Sequence, residues 1–219
     1  MSCLNLRKFY ENVELVTDEV GYRYLIEKLK LPYSSVRVEL DCINTYPSSL
    51  WAIGKLYTYG IQNEPFIHVD GDVYIWGKFN AEIESSGLLA QNKDIVNGHY
   101  IAGYSRLKDL KFSFPEILAA SPDEIRSLQG SNAGIIGGNN FDFFKDFSKK
   151  SFEFIDKNIH LTSNLSDTES TWFALIYEQL LFSLLAKKNE VDINYLFSED
   201  EFNAIDVSAF SNKYDIKYV

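Results

Sequence analysis

The sequence has few cysteines, a shortage of positive charge and no long apolar run, and each shortage excludes a class of protein. Two cysteines occur in 219 residues. Cys3 and Cys42 have neither the spacing of a metal site nor the number of a disulfide framework. The opening MSCLNLRKFY has no apolar signal core, and with the scarce cysteine it predicts a reducing, cytoplasmic setting. Charge interrupts every apolar stretch well before the ~18 residues a membrane span requires. Lys plus Arg number 21 against 31 Asp plus Glu, a formal charge of −10. Nucleic acid is gripped by clustered cations that displace its counterions, so a field of this sign argues against it as a partner. An acidic chain that binds a phosphate compound needs a local device: a divalent metal, a helix N-terminus or a few placed Lys and Arg. No linker, internal repeat or low-complexity run divides residues 1–219, which reads as a single domain.

Aromatic residues are plentiful, with 16 Phe, 14 Tyr and 3 Trp. They fill cores, and they also line sugar and base pockets because their faces stack on C–H rich rings. Short apolar runs alternate with longer helical patterns, the signature of an α/β fold. The pattern predicts strands over 13–16, 35–40, 66–69, 87–91, within 131–138 and at 194–197, with a last one at 213–219. Helices are predicted over 20–29, 48–62, 141–155 and 166–188, the last opened by a Ser166/Glu169 capping box.

Asp70-Gly71-Asp72 is the most informative motif, placed where the FIHV strand runs out. Ligands of open α/β sheets sit beyond the carboxyl ends of strands. Two carboxylates one residue apart, with a glycine allowing a tight backbone, can hold a hard cation such as Mg²⁺ or Mn²⁺ that keeps open positions for phosphate oxygens. The same Asp-Gly between β-prone runs is also a strong hairpin signal, and both readings stay open on the motif alone. His68 reads as a satisfied core group of a buried strand. Gly134, Gly137 and Gly138 lack the Lys-Ser/Thr that a phosphate-cradling loop needs.

Several stretches together carry a resemblance: ELVTDEVGYRYLIEKLKLPY from Glu14, SSLWAIGKLYTYGIQNEPFIHVDGDVYIW from Ser48, SNAGIIGG from Ser131 and YEQLLFSLL from Tyr177. Residues 14–201 resemble GT-A-type glycosyltransferases with an Asp-X-Asp motif, and specifically a bacterial family known only as a domain of unknown function. The resemblance implies a GT-A-like, mixed but mainly parallel sheet flanked by helices. It implies transfer of a sugar from a nucleotide-sugar donor to a glycan or small acceptor, with Mn²⁺ or Mg²⁺ as cofactor. By the same resemblance Asp70 contacts the donor, and Asp70 and Asp72 hold the metal. Lys55, Gln91 and Asn132 line the donor, and Glu178 faces the transferred sugar as the catalytic acid. Each has a plainer reading as well. Lys55 fits a solvated helix face, Gln91 a polar strand end and Asn132 a glycine-requiring turn. Glu178 fits a buried polar network.

The chain departs from that pattern at both ends. It enters in the helix after the first strand of such enzymes, and it stops at Val219 where many relatives place a later metal-binding His. A chain truncated in this way would lack part of its base site and leave its metal under-ligated. The rival readings are a non-catalytic glycan- or protein-binding module on the same fold, and a metal-dependent phosphoryl-transfer enzyme using the same Asp pair.

Overall fold

The computed structural model describes residues 2–94, 98–119, 124, 127 and 129–198. The strand expected at 213–219 lies outside the described residues. The first half of the chain runs α1 (Ser2–Phe9), β1 (Glu14–Thr17), α2 (Glu19–Tyr22), a π-helical stretch (Arg23–Lys28), β2 (Ser35–Val38), α3 (Ile53–Gly60) and β3 (Phe66–Val69). It continues through α4 (Ala81–Glu84), β4 (Leu88–Asn92), α5 (Gly98–Asp109), β5 (Ile135–Gly138) and α6 (Phe141–Asn158). A single broken helix follows, α7 (Asp167–Leu175), a π-helical turn (Ile176–Leu180) and α8 (Leu181–Lys188), before β6 (Ile193–Phe197).

The main sheet has the order β3-β5-β4-β6. β5 is antiparallel to both β3 and β4, and β6 is parallel to β4. The sheet is therefore mixed, with antiparallel ladders outnumbering the parallel one, where a mainly parallel sheet was expected. β5 fits between its neighbours because it ends in two glycines. A Cβ on Gly137 would lie 2.1 Å from the Phe66 carbonyl oxygen, and one on Gly138, whose φ is +142°, would lie 2.1 Å from that of Gly87. The pairing of β3 with β5 also corrects the hairpin reading of Asp-Gly. The β-prone residues after Asp72 do not fold back on β3. Instead Ile75 is buried with Phe79, Ile83, Leu89 and Ile135 on one face of the sheet, under Leu6, Phe9 and Tyr10 from α1 and its end.

The opposite face carries the larger core, formed with α3, α5, α6, α7 and α8. On α6, Phe143, Phe144, Phe147 and Phe154 are all buried at helical spacing. Phe182 of α8 packs against three of these rings, with centroids 5.4–6.1 Å apart. The Ser166/Glu169 capping box is formed as expected and starts α7. The helix expected over 48–62 is shorter, because Leu50 and Ala52 are buried in turns ahead of its first residue, Ile53.

β1 and β2 form a separate parallel pair. Thr17 is the one buried residue in the two strands, and neither α2 nor the π-helical stretch after it buries any residue.

Candidate functional site

The site forms where β3 ends. The Asp70 amide donates to the Gly134 carbonyl at 2.9 Å and the Val73 amide donates to the Asp70 carbonyl at 3.1 Å, so the chain turns sharply at the sheet edge. Lys55 reaches this point from the first turn of α3. Its ammonium lies 3.1 Å from Asp70 Oδ1, 2.9 Å from Glu178 Oε1 and 3.3 Å from the Ala133 carbonyl. Its side chain is only 14% exposed. The solvated-face reading of Lys55 is thus corrected: an amphipathic pattern shows which residues face the core, not which core carboxylate waits there.

Glu178 is fully buried. It lies in the π-helical turn between α7 and α8, the kind of local widening that re-aims side chains and recurs at functional sites. Tyr59, one turn beyond Lys55 on α3, donates to Glu178 Oε1 at 3.3 Å. His68 Nε2 stands 3.0 Å from Asp70 Oδ1, and its ring meets Tyr59 edge-on at 5.3 Å. Sequence reasoning assigned neither His68 nor Tyr59 to the site. Strand alternation was the available signal for His68, since residues two apart on β3 share a face. Helical spacing was the signal for Tyr59, four residues after Lys55.

Burial and charge oppose each other throughout this cluster. Burial pulls Lys55 down, but Glu178 and Asp70 outweigh it and hold the ammonium above its ordinary range. Burial pushes Asp70 up, and the hydrogen bond from His68 and the charge of Lys55 more than reverse that, leaving it below the usual carboxylate range. Glu178 is raised, because burial outweighs the attraction of Lys55. Burial likewise holds His68 down and Tyr59 well up.

Gln91 and Asn132 join from β4 and from the turn before β5. The Asn132 side-chain oxygen accepts from the Gly134 amide at 2.9 Å. A Cβ on Gly134 would come within 2.5 Å of Gln91 Oε1 and 3.2 Å of Asn132 Oδ1, so both side chains converge over that glycine. The glycine-turn reading of Asn132 is therefore realised. Gln91 Oε1 and Glu178 Oε2 are buried and have no hydrogen-bond partner within the protein.

Lys55, Asp70 and Glu178 are thus gathered around one point, while Gln91 and Asn132 converge over the neighbouring Gly134. Asp72 is at neither place: it is exposed in the turn beside Gly71, over which a Cβ would meet nothing within 4 Å. Among the described residues no group of three or more His, Cys, Asp and Glu side chains is placed to hold a metal ion.

The whole chain, residues 1–219, matches one family. This protein belongs to the family of unknown function DUF6734. No curated protein and no solved structure matches the chain. Membership bears out the likeness to a domain of unknown function and brings no activity with it. For this DUF6734 protein the chemistry must be read from the cluster itself: one ammonium shared by two carboxylates, and one unpartnered carboxylate oxygen for a hydroxyl or amide donor. A cavity of about 590 Å³, lined by Lys93, Ser183, Lys187, Asp192 and Tyr195 among others, contains none of the clustered residues. Among the described residues no helix is long and apolar enough to cross a membrane.

Proposed function

We propose that this protein is a glycosyltransferase, moving a sugar from a nucleotide-diphosphate donor to a glycan or small acceptor on a GT-A-like fold. The observation that carries the reading is the Lys55 ammonium, fixed at the C-terminal end of β3 by Asp70 and by Glu178, whose second oxygen is buried and unpartnered. A buried acceptor without a donor is costly, so the site favours a ligand that brings a hydroxyl group to Glu178. A diphosphate would take the place of Asp70 at the Lys55 ammonium, the cation nearest the end of β3. Asp70, oriented by His68 and Lys55, faces the donor, Gln91 and Asn132 line it, and Glu178 Oε2 accepts from a hydroxyl of the transferred sugar.

A divalent ion belongs to the same proposal. Asp72, exposed beside open space, is the carboxylate left free to meet Mn²⁺ or Mg²⁺ arriving with a diphosphate. Asp70 fits less well as a ligand while its oxygens are engaged by Lys55 and His68. Such an ion, when bound, supplies a Lewis acid that neutralises the departing diphosphate.

Calorimetric titration with UDP and GDP, each with and without Mn²⁺, tests the reading. Binding that tightens with metal is the expected result, and Asp72→Ala removes that tightening while leaving the melting temperature unchanged. Silence of the intact protein toward both nucleotides would leave a non-catalytic binding module as the better account.

A further inference from the structure

The residues around the cluster offer hydrogen-bonding groups, and one neighbour offers a flat apolar surface. Trp51 lies one turn before Lys55, and the Lys55 ammonium sits over its indole at 5.6 Å from the ring centroid. Trp51 is 48% exposed, although Leu50, Ala52 and Ile53 around it are at most 3% exposed. The backbone is therefore anchored on both sides while the indole stands at the surface beside the buried ion cluster.

We propose that Trp51 is the ring platform of this site, the surface against which the pyranose of a nucleotide-sugar lies. The proposal rests on the donor reading above. A pyranose is amphiphilic in a particular way: its hydroxyls project around the rim, and its faces present C–H groups. The rim finds Glu178 Oε2, which lacks a donor. The C–H face finds the indole, whose negative π-face also attracts the neighbouring ammonium. Lys55 ties the two halves together, since the same nitrogen contacts Glu178, Asp70 and the indole. A diphosphate held at Lys55 carries its sugar directly on the terminal phosphate, so the ring next to that phosphate is the one within reach.

The test compares each nucleotide with its sugar conjugate by calorimetry: UDP with UDP-glucose and UDP-N-acetylglucosamine, and GDP with GDP-mannose. In the intact protein one of the conjugates binds more tightly than its nucleotide. Trp51→Ala is expected to weaken that conjugate roughly three- to tenfold and leave the bare nucleotide unchanged. Trp51→Phe keeps most of the difference. As a second measurement, Trp51 emission in a Trp76→Phe/Trp172→Phe background shifts with the conjugate and not with the nucleotide. The platform is overturned if Trp51→Ala weakens both ligands equally or neither, or if the intact protein binds nucleotides without any gain from the sugar. In those cases the nucleotide half of the donor reading survives. If the intact protein binds none of these compounds, the donor reading falls and takes the platform with it.

Discussion

Replacing Lys55 by methionine isolates the electrostatics of the site. Methionine keeps the length of the side chain but removes the charge that faces Glu178 at 2.9 Å and Asp70 at 3.1 Å. Glu178 is then left fully buried with Tyr59 as its remaining hydrogen-bond donor. Its escape is to take up a proton. Keeping a carboxylic acid protonated near neutral pH costs about 4 kcal/mol relative to an unfolded chain that ionises freely, and about 1 kcal/mol near pH 5. Burial already raises Glu178 in the intact protein, so part of this cost is present before the substitution. The net loss is therefore about 2–4 kcal/mol near pH 7, within or just below the range for breaking a buried pair. For a protein of this size it corresponds to a fall of about 5–15 °C in melting temperature. The sign follows from the raised pKa. Such a group stabilises fully below the ordinary carboxyl range and loses that contribution as the pH rises, so the deficit grows between about pH 5 and about pH 8. Urea unfolding across this range measures it. Adding Glu178→Gln to the Lys55→Met variant restores most of the stability at the upper end and flattens the pH dependence. A deficit that is constant with pH, or that the second substitution leaves untouched, refutes the account of the cluster.

Two further substitutions probe the scaffold. Gly137→Ala places a methyl 2.1 Å from the Phe66 carbonyl and 2.8 Å from the Ile67 Cα, both backbone atoms. It should cost about 3 kcal/mol or abolish folding, and yield of soluble protein together with a thermal melt shows which. Ser166→Ala removes the cap of α7 and should cost about 1 kcal/mol by urea unfolding. The Ser166 amide and hydroxyl together with Arg106 hold Glu169 at about 2, so its contribution is present above the ordinary carboxyl range and is lost as the pH falls toward 2. Glu169→Gln should flatten the acid limb of the melting-temperature profile.

Legibility in the sequence followed the range of the interactions involved. β3 was readable residue for residue, because Pro65 precedes it, an Asp-Gly follows it and four β-prone residues lie between. The capping box of α7 was equally local. The pairing of β3 was not, because Asp-Gly advertises a hairpin whereas the partner strand is chosen by glycines at 137 and 138, far along the chain. α5 was missed for a related reason. Its Gly103 reads as a helix breaker, yet a Cβ there would lie 2.7 Å from the Trp172 Cβ, so the glycine lets α5 approach α7 closely. Of the site, the residue types were visible and their convergence was not. Nothing near Lys55 in the sequence announces Glu178, and a π-helical turn leaves no mark in a pattern read at ordinary helical spacing.

The isolated β1–β2 pair has a consequence for how the site behaves in solution. Parallel strands are ordinarily sealed on both sides, yet this pair has little apolar cover, and Val20, Tyr24 and Leu29 next to it are 55–64% exposed. Few buried contacts make such a unit the first to breathe. Leu40 and Ile43, which follow β2, lie against Gly54, the residue just before Lys55. The residue next to Lys55 is thus leaned on by a lightly packed unit, and whatever steadies that unit from outside will be felt at the ammonium.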